Sequence, residues 1–204
     1  MEFSWMEGIG AVAALIYLYF SVNQKIWLWP MGILTSAFYM AVFFDAHLYA
    51  DMILQLYYLV VSVMGWVIWR NRQVTEHKET TQILKTSKPT LLKLLIVFAV
   101  LYVVLAWALL NVPSMLNIAA SDMPFWDTFT TAASFVATWM LAKKFIEQWL
   151  IWIVVDFVAM GMYIYKGLYI TAILFVIYTV MAIWGYYAWL RHFKLQQTSA
   201  QIIK

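Results

Sequence analysis

Seven apolar runs, each near the length needed to cross a bilayer, constrain this chain more than any other feature. They lie near 8–22, 26–44, 48–69, 91–110, 125–142, 149–165 and 168–190. A helix needs about 20 apolar residues to span the hydrocarbon core. Short charged, Gly- or Pro-containing stretches separate the runs, and the reversal at YIYKGLY centres on Gly167. Of the 204 residues, 65% are apolar and 11% charged, against about 25% charged in an average soluble domain. A core of this size cannot hide so much apolar surface, so much of it must face something other than water. The expected fold is an all-α integral membrane protein with seven transmembrane helices, since helices satisfy their own backbone in lipid. The N-terminus has Glu2 and Glu7 and no basic residue before Lys25, so the first run is expected to be a retained span rather than a signal peptide.

Charge placement gives an expected orientation. If the runs alternate in direction, Lys25, the segment from Arg70 to Lys93, Lys143, Lys144 and the C-terminal tail share one side. That side holds twelve of the thirteen Lys and Arg residues. The other side holds Lys166 with Glu2, Glu7, Asp45, Asp51, Asp122 and Asp127. The positive-inside rule then places the N-terminus outside and the C-terminus in the cytoplasm, with the bacterial inner membrane as the expected location. The segment RNRQVTEHKETTQILKTSK reads as a cytoplasmic linker whose charges touch anionic headgroups. Nothing in it points to nucleic acid.

An offset of 120 residues brings the chain into register with itself. Trp29 meets Trp149, Tyr49 meets Tyr169, Tyr58 meets Tyr178, Gly65 meets Gly185 and Trp69 meets Trp189, among thirteen identities over residues 5–70. The expected organisation is a three-helix repeat at 1–70 and a second at 125–190. Between them, 71–124 holds a cytoplasmic linker, a connecting helix near 91–110 and an outer loop; 191–204 is a cytoplasmic tail. One helix between two units of three makes the units parallel, related by an axis along the membrane normal. Such a 3+1+3 pair leaves a pathway between its halves, and rocking would expose a midplane site alternately. This points to transport.

The residues expected to line that pathway are polar or aromatic and lie inside spans. Asp156 is near the middle of the sixth run, where an acid normally faces a cavity or a partner. Helical spacing places Gln148, Trp149, Trp152, Asp156, Ala159, Met160 and Tyr163 on one face. An aromatic wall beside an acid suits a flat organic cation; an acid hydrogen-bonded to a neighbouring helix is the plainer alternative. The third run offers Asp51, Gln55, Tyr58, Ser62 and Trp66 at similar spacing, and the second adds Ser36 and Tyr39. Ser36 occupies the repeat position of Asp156. Trp5, Trp27, Trp69, Trp126, Trp184 and Trp189 are expected to be interface anchors. Pro30 is expected to kink the second span, and Gly65 and Gly185 to allow close helix packing.

Several classes are excluded. There is no phosphate-binding Gly-rich loop, no cysteine, and no clustering of the three histidines His47, His77 and His192. No metal, cofactor or catalytic set is expected, and the last run has no lysine for a retinal Schiff base.

The stretch AKKFIEQWLIWIVVDFVAMGMYIYKGLYITAILFVIYTVMAIWGYYAW resembles the C-terminal half of the PnuC-type vitamin transporters. FFDAHLYADMILQLYYLVVSVMGWVIW resembles the corresponding N-terminal piece, and WDTFTTAASFVATWMLAKK the fifth span. The resemblance implies a full-length SWEET-like fold and uptake of nicotinamide riboside, or thiamine in the PnuT relatives, by facilitated diffusion. It also implies functional coupling to a cytoplasmic kinase that traps the substrate. The family's Asn-Trp-x-x-Trp-like pattern falls here on Gln148, Trp149 and Trp152, with Gln replacing Asn. A sugar-like solute carrier and a receptor without flux are the remaining readings. The oligomeric state is open, a homo-oligomer included.

Overall fold

The computed structural model describes residues 5–45, 49–76, 82–117 and 120–202. It is all-helical in architecture, with α1 Trp5–Val22, α2 Leu28–Asp45, α3 Tyr49–Glu76, α4 Lys88–Leu116, α5 Pro124–Ala142, α6 Gln148–Tyr165 and α7 Tyr169–Ile202. Each expected run is a helix. Three helices α3, α4 and α7 outlast their apolar runs. Hydropathy marks only the part that lipid must cover, whereas the backbone ladder continues into polar sequence. Segments Lys88–Met115, Gln148–Tyr165 and Thr171–Thr198 are long and apolar enough to cross a bilayer.

Local chemistry sets the helix ends. At α4, the Ser87 hydroxyl accepts from the Thr90 N–H at 3.4 Å, and Pro89 sits in the first turn, where its missing N–H loses nothing. Asn117 closes α4 in the left-handed region at φ 53°, donating to the Pro113 carbonyl. Gly167, at φ +72°, reverses the chain between α6 and α7, as expected of it. Pro30 is a correction: it is the third residue of α2, in the first turn, and interrupts no established ladder there.

The chain forms two compact units. One comprises Met1–Leu84, Leu141–Lys144 and Tyr187–Lys204, the other Lys85–Met140 and Phe145–Tyr186. In the first, α2 packs on α3 with the Trp29 ring over Gly65, where an added Cβ would lie 2.5 Å from the indole. Trp69 meets Trp29 edge-on at 5.4 Å and donates its indole N–H to the Ala142 carbonyl at 3.1 Å. Trp189 donates to the Val22 carbonyl at 3.1 Å and to that of Ser21 at 3.2 Å. Trp69 and Trp189 are therefore not interface anchors. Both are fully buried, because their N–H groups satisfy carbonyls at the ends of other helices. Trp27, Trp126 and Trp184 are at least half exposed, as anchors require. The side chain of Trp5 lies outside the described residues.

Lys144 is also fully buried in this unit. Its Nζ donates to the Gln24 side-chain oxygen at 2.9 Å and lies 4.3 Å from the Trp69 ring centre and 6.0 Å from that of Trp189. Gln24 and Lys144 both adopt positive φ, 54° and 59°.

In the second unit α5 is the most enclosed helix. Ala132, Ala133, Val136, Ala137 and Met140 are buried, and Thr128 and Thr138 return their hydroxyls to the carbonyls four residues back. Leu94, Val136 and Met140 form a core flanked by Phe98, Leu101 and Ile151. The Trp149 ring lies over Gly185, where an added Cβ would stand 2.7 Å from it. The outward side of α4 exposes Leu92, Ile96, Val100, Val103 and Trp107, a face suited to lipid.

Candidate functional site

The candidate site begins at the turn before α6. Phe145 and Ile146 accept from the N–H groups of Gln148 and Trp149 at 3.4 and 3.2 Å, which starts the helix at Gln148. One α6 face then buries Gln148, Trp149, Val155, Asp156 and Ala159, with Trp152, Met160 and Tyr163 half-buried. That is the face expected from helical spacing, with Val155 added.

Gln148 is fully buried, and neither its side-chain oxygen nor its nitrogen has a hydrogen-bond partner. An amide left so costs about 1–3 kcal/mol relative to a satisfied one, so native proteins rarely keep one without a use. Asp156, 6% exposed, has no ion-pair partner among the described residues. The amide can donate and accept; the acid can counter a positive charge. Two turns of helix separate them, about 12 Å of rise, so a ligand touching both must be longer than a single ring. Trp149 is held flat against α7 by Gly185 and forms a wall. Tyr163 meets Phe175 of α7 with ring centres 5.0 Å apart, and Phe175 meets Tyr178 at 5.3 Å.

The first unit holds Ser36, buried at 4% exposure, with Gln55 and Tyr58 half-buried. Tyr58 packs edge-on against Tyr57 at 5.6 Å. Ser62, also buried, fills the space a side chain at Gly32 would need. The side chains of Tyr39 and Asp51 lie outside the described residues. Trp66 is exposed, unlike its neighbours on the expected stripe. Phe175, together with Tyr178, extends the aromatic row beside Tyr163, and sequence reasoning did not single it out. Its signal was the three-residue spacing to Tyr178, itself the offset partner of Tyr58. Among the described residues no group of His, Cys, Asp or Glu could hold a metal ion.

Comparisons with known proteins agree with this chemistry. The sequence profile of the family described as nicotinamide mononucleotide transporter matches residues 4–191. The nicotinamide riboside transporter PnuC of Escherichia coli is 24% identical, over 93% of this chain and 86% of that protein. The PnuC of Neisseria mucosa is 25% identical over 91% and 72%. The riboflavin/roseoflavin transporter RibM of Streptomyces davaonensis is 23% identical over 91% and 84%. In three dimensions, the crystal structure of the vitamin B3 transporter PnuC matches with a TM-score of 0.68 at 22% identity, covering 94% of this chain and 83% of that one. That likeness carries the fold. A profile match across nearly the whole chain carries the family: this protein belongs to the nicotinamide mononucleotide transporter family of PnuC-type membrane transporters.

Proposed function

We propose that the protein takes up a cationic B-vitamin of the nicotinamide riboside type across the bacterial inner membrane by facilitated diffusion. The observation that carries this reading is the buried, unpartnered amide of Gln148 on the same helix face as the buried acid Asp156. A riboside offers hydroxyls for an amide and a pyridinium ring for an acid and an aromatic wall. We assign Gln148, Asp156 and Trp152 to direct contact, Trp149 and Tyr163 to the aromatic wall, and Gln55, Tyr58, Ser36 and Tyr39 to the first repeat's side of the pathway. A phosphorylated nucleotide is disfavoured, because a dianion beside Asp156 would be repelled.

The 3+1+3 arrangement is supported by more than sequence identity. Helices α2 and α6 start and end 120 residues apart, and α3 and α7 start at the same offset. The turn bonds Lys25 N–H to Phe20 carbonyl and Phe145 N–H to Met140 carbonyl, both 2.9 Å, are offset likewise. Charge placement supports an outside N-terminus and a cytoplasmic C-terminus, and capture by a cytoplasmic kinase would keep a passive carrier running inward.

The second reading, a riboflavin-type substrate, rests on the likeness to RibM. Its isoalloxazine ring is uncharged, so it makes no use of Asp156. Thiamine is the alternative cation. Titrating the purified protein with nicotinamide riboside, thiamine and riboflavin, with tryptophan fluorescence as readout, separates them. Saturable quenching by the riboside alone is expected, and uptake into proteoliposomes should persist when ion gradients are collapsed. Saturation by riboflavin alone would overturn the cationic assignment.

A further inference from the structure

An apolar groove of about 300 Å³ runs along the second unit between α4, α5 and α6. Every lining residue is apolar, with Leu91, Leu95 and Phe98 from α4, Ala133 and Met140 from α5, and Ile151 from α6 among them. Its α6 wall is made by Leu150, Ile151, Val154 and Val155, so it shares only Val155 with the buried face of α6 and is lined by neither Gln148 nor Asp156.

The groove has a charged end. Lys88 opens α4 and stands three residues before Leu91, so Lys88, Leu91, Leu95 and Phe98 follow one helical stripe. Lys85 just precedes the helix, whereas Lys93 falls about 140° round α4 from Lys88 and faces away from the groove. All three lysines are exposed. Glu147, joined to the segment just before α4, is occupied by the Thr86 backbone and hydroxyl at 3.0 and 2.6 Å. Helix α4 has 29 residues, about 43 Å of rise. That exceeds the ~30 Å hydrocarbon core, which leaves room for its first turn, with Lys88, to stand at headgroup level.

We infer that this groove binds an anionic phospholipid, one acyl chain lying against α4, α5 and α6 and the phosphate meeting Lys88 and Lys85. Lipid tails are as apolar as the groove, so the chain seats by shape and van der Waals contact, while the lysines select the headgroup. Charge complementarity at one end and an unbroken apolar lining beyond it favour a lipid over a second copy of the chain.

The full-length protein is purified in detergent and titrated with palmitoyl-oleoyl phosphatidylglycerol or the matching phosphatidylethanolamine, and bound lipid is counted by native mass spectrometry. The glycerol lipid should bind more tightly by about fivefold for each contributing lysine. Lys88→Gln with Lys85→Gln should abolish that preference, whereas Lys93→Gln, on the far face of α4, should leave it unchanged. Leu95→Trp, filling the groove from an exposed position, should reduce binding of both lipids, whereas Val104→Trp, on α4 but outside the groove, should reduce neither. Equal binding of the two lipids by the unaltered protein would overturn the inference. So would a preference that survives loss of both lysines, or Leu95→Trp altering oligomeric state while lipid binding stays intact.

Discussion

Gln148 and Asp156 ask different things of a ligand, and single substitutions can separate them. Gln148→Leu removes a buried amide with no protein partner, so the variant should unfold at the same temperature or higher, with a gain of up to about 1–3 kcal/mol. Nicotinamide riboside affinity should nevertheless fall at least about tenfold, ~1.4 kcal/mol. Calorimetry and fluorescence titration on one preparation check both. Asp156→Asn should weaken the riboside by a similar factor while leaving its uncharged dihydro form nearly unaffected, a contrast read by titrating the two ligands in parallel. Lys144 behaves oppositely to Gln148, being a buried cation whose partners, Gln24 and Trp69, are all protein. Lys144→Met strips the Gln24 oxygen of its donor and both indoles of their cation, so thermal unfolding should show a loss of roughly 2–4 kcal/mol. In Gln24→Leu/Lys144→Met the loss should be smaller than the sum of the single effects. The α6 face was legible in the sequence because helical spacing alone defines it. Lys144 was not, since a lysine in a turn normally reads as solvated and only the fold brings Gln24 and two indoles around it.

At the level of helices, Gly65 and Gly185 do the same work, each taking a tryptophan ring from the neighbouring helix where a Cβ would lie under 3 Å away. The pairs α2–α3 and α6–α7 close only because those side chains are missing. Gly65→Ala and Gly185→Ala should each cost about 1–3 kcal/mol, as overpacking does, and shift the proteins toward aggregates on gel filtration. Gly161→Ala is the control: nothing lies within 4 Å of its added Cβ, so improved helix propensity should make it neutral or stabilising by up to about 1 kcal/mol. The helices themselves were readable from apolar run length, and so was the close packing at both glycines. The burial of Trp69 and Trp189 was not. A tryptophan at the end of an apolar run looks the same whether it faces headgroups or caps a distant carbonyl, and only the bonds to Ala142 and Val22 decide.

For the whole molecule, the number of helices and the distribution of charge bear on each other. Seven crossings would put the two ends of the chain on opposite sides, and by the positive-inside rule the lysine and arginine bias would make the C-terminal side cytoplasmic. Contacts within the second unit fit the alternation: Lys166 pairs with Asp122 at 3.7 Å, so the α4–α5 and α6–α7 connections share one end of that unit. An exposed pair of this kind contributes at most about 1 kcal/mol, so it reports proximity rather than holding the fold. The chain has no cysteine, which makes single introduced thiols clean reporters of side. Asp122→Cys, at a position whose side chain is 77% exposed, should react with a membrane-impermeant maleimide on intact cells. Gln197→Cys, near the end of α7, should react only after the membrane is opened. Labelling of both in intact cells would break the seven-span count, because the three crossings α5, α6 and α7 must set these two positions on opposite sides. Labelling of Gln197→Cys alone would keep the count and invert the protein, leaving its basic loops outside against the charge rule. Only the expected pattern keeps both the helix count and the charge bias, and it sets Lys144 and the turn that starts α6 on the face where a passive carrier must release its vitamin.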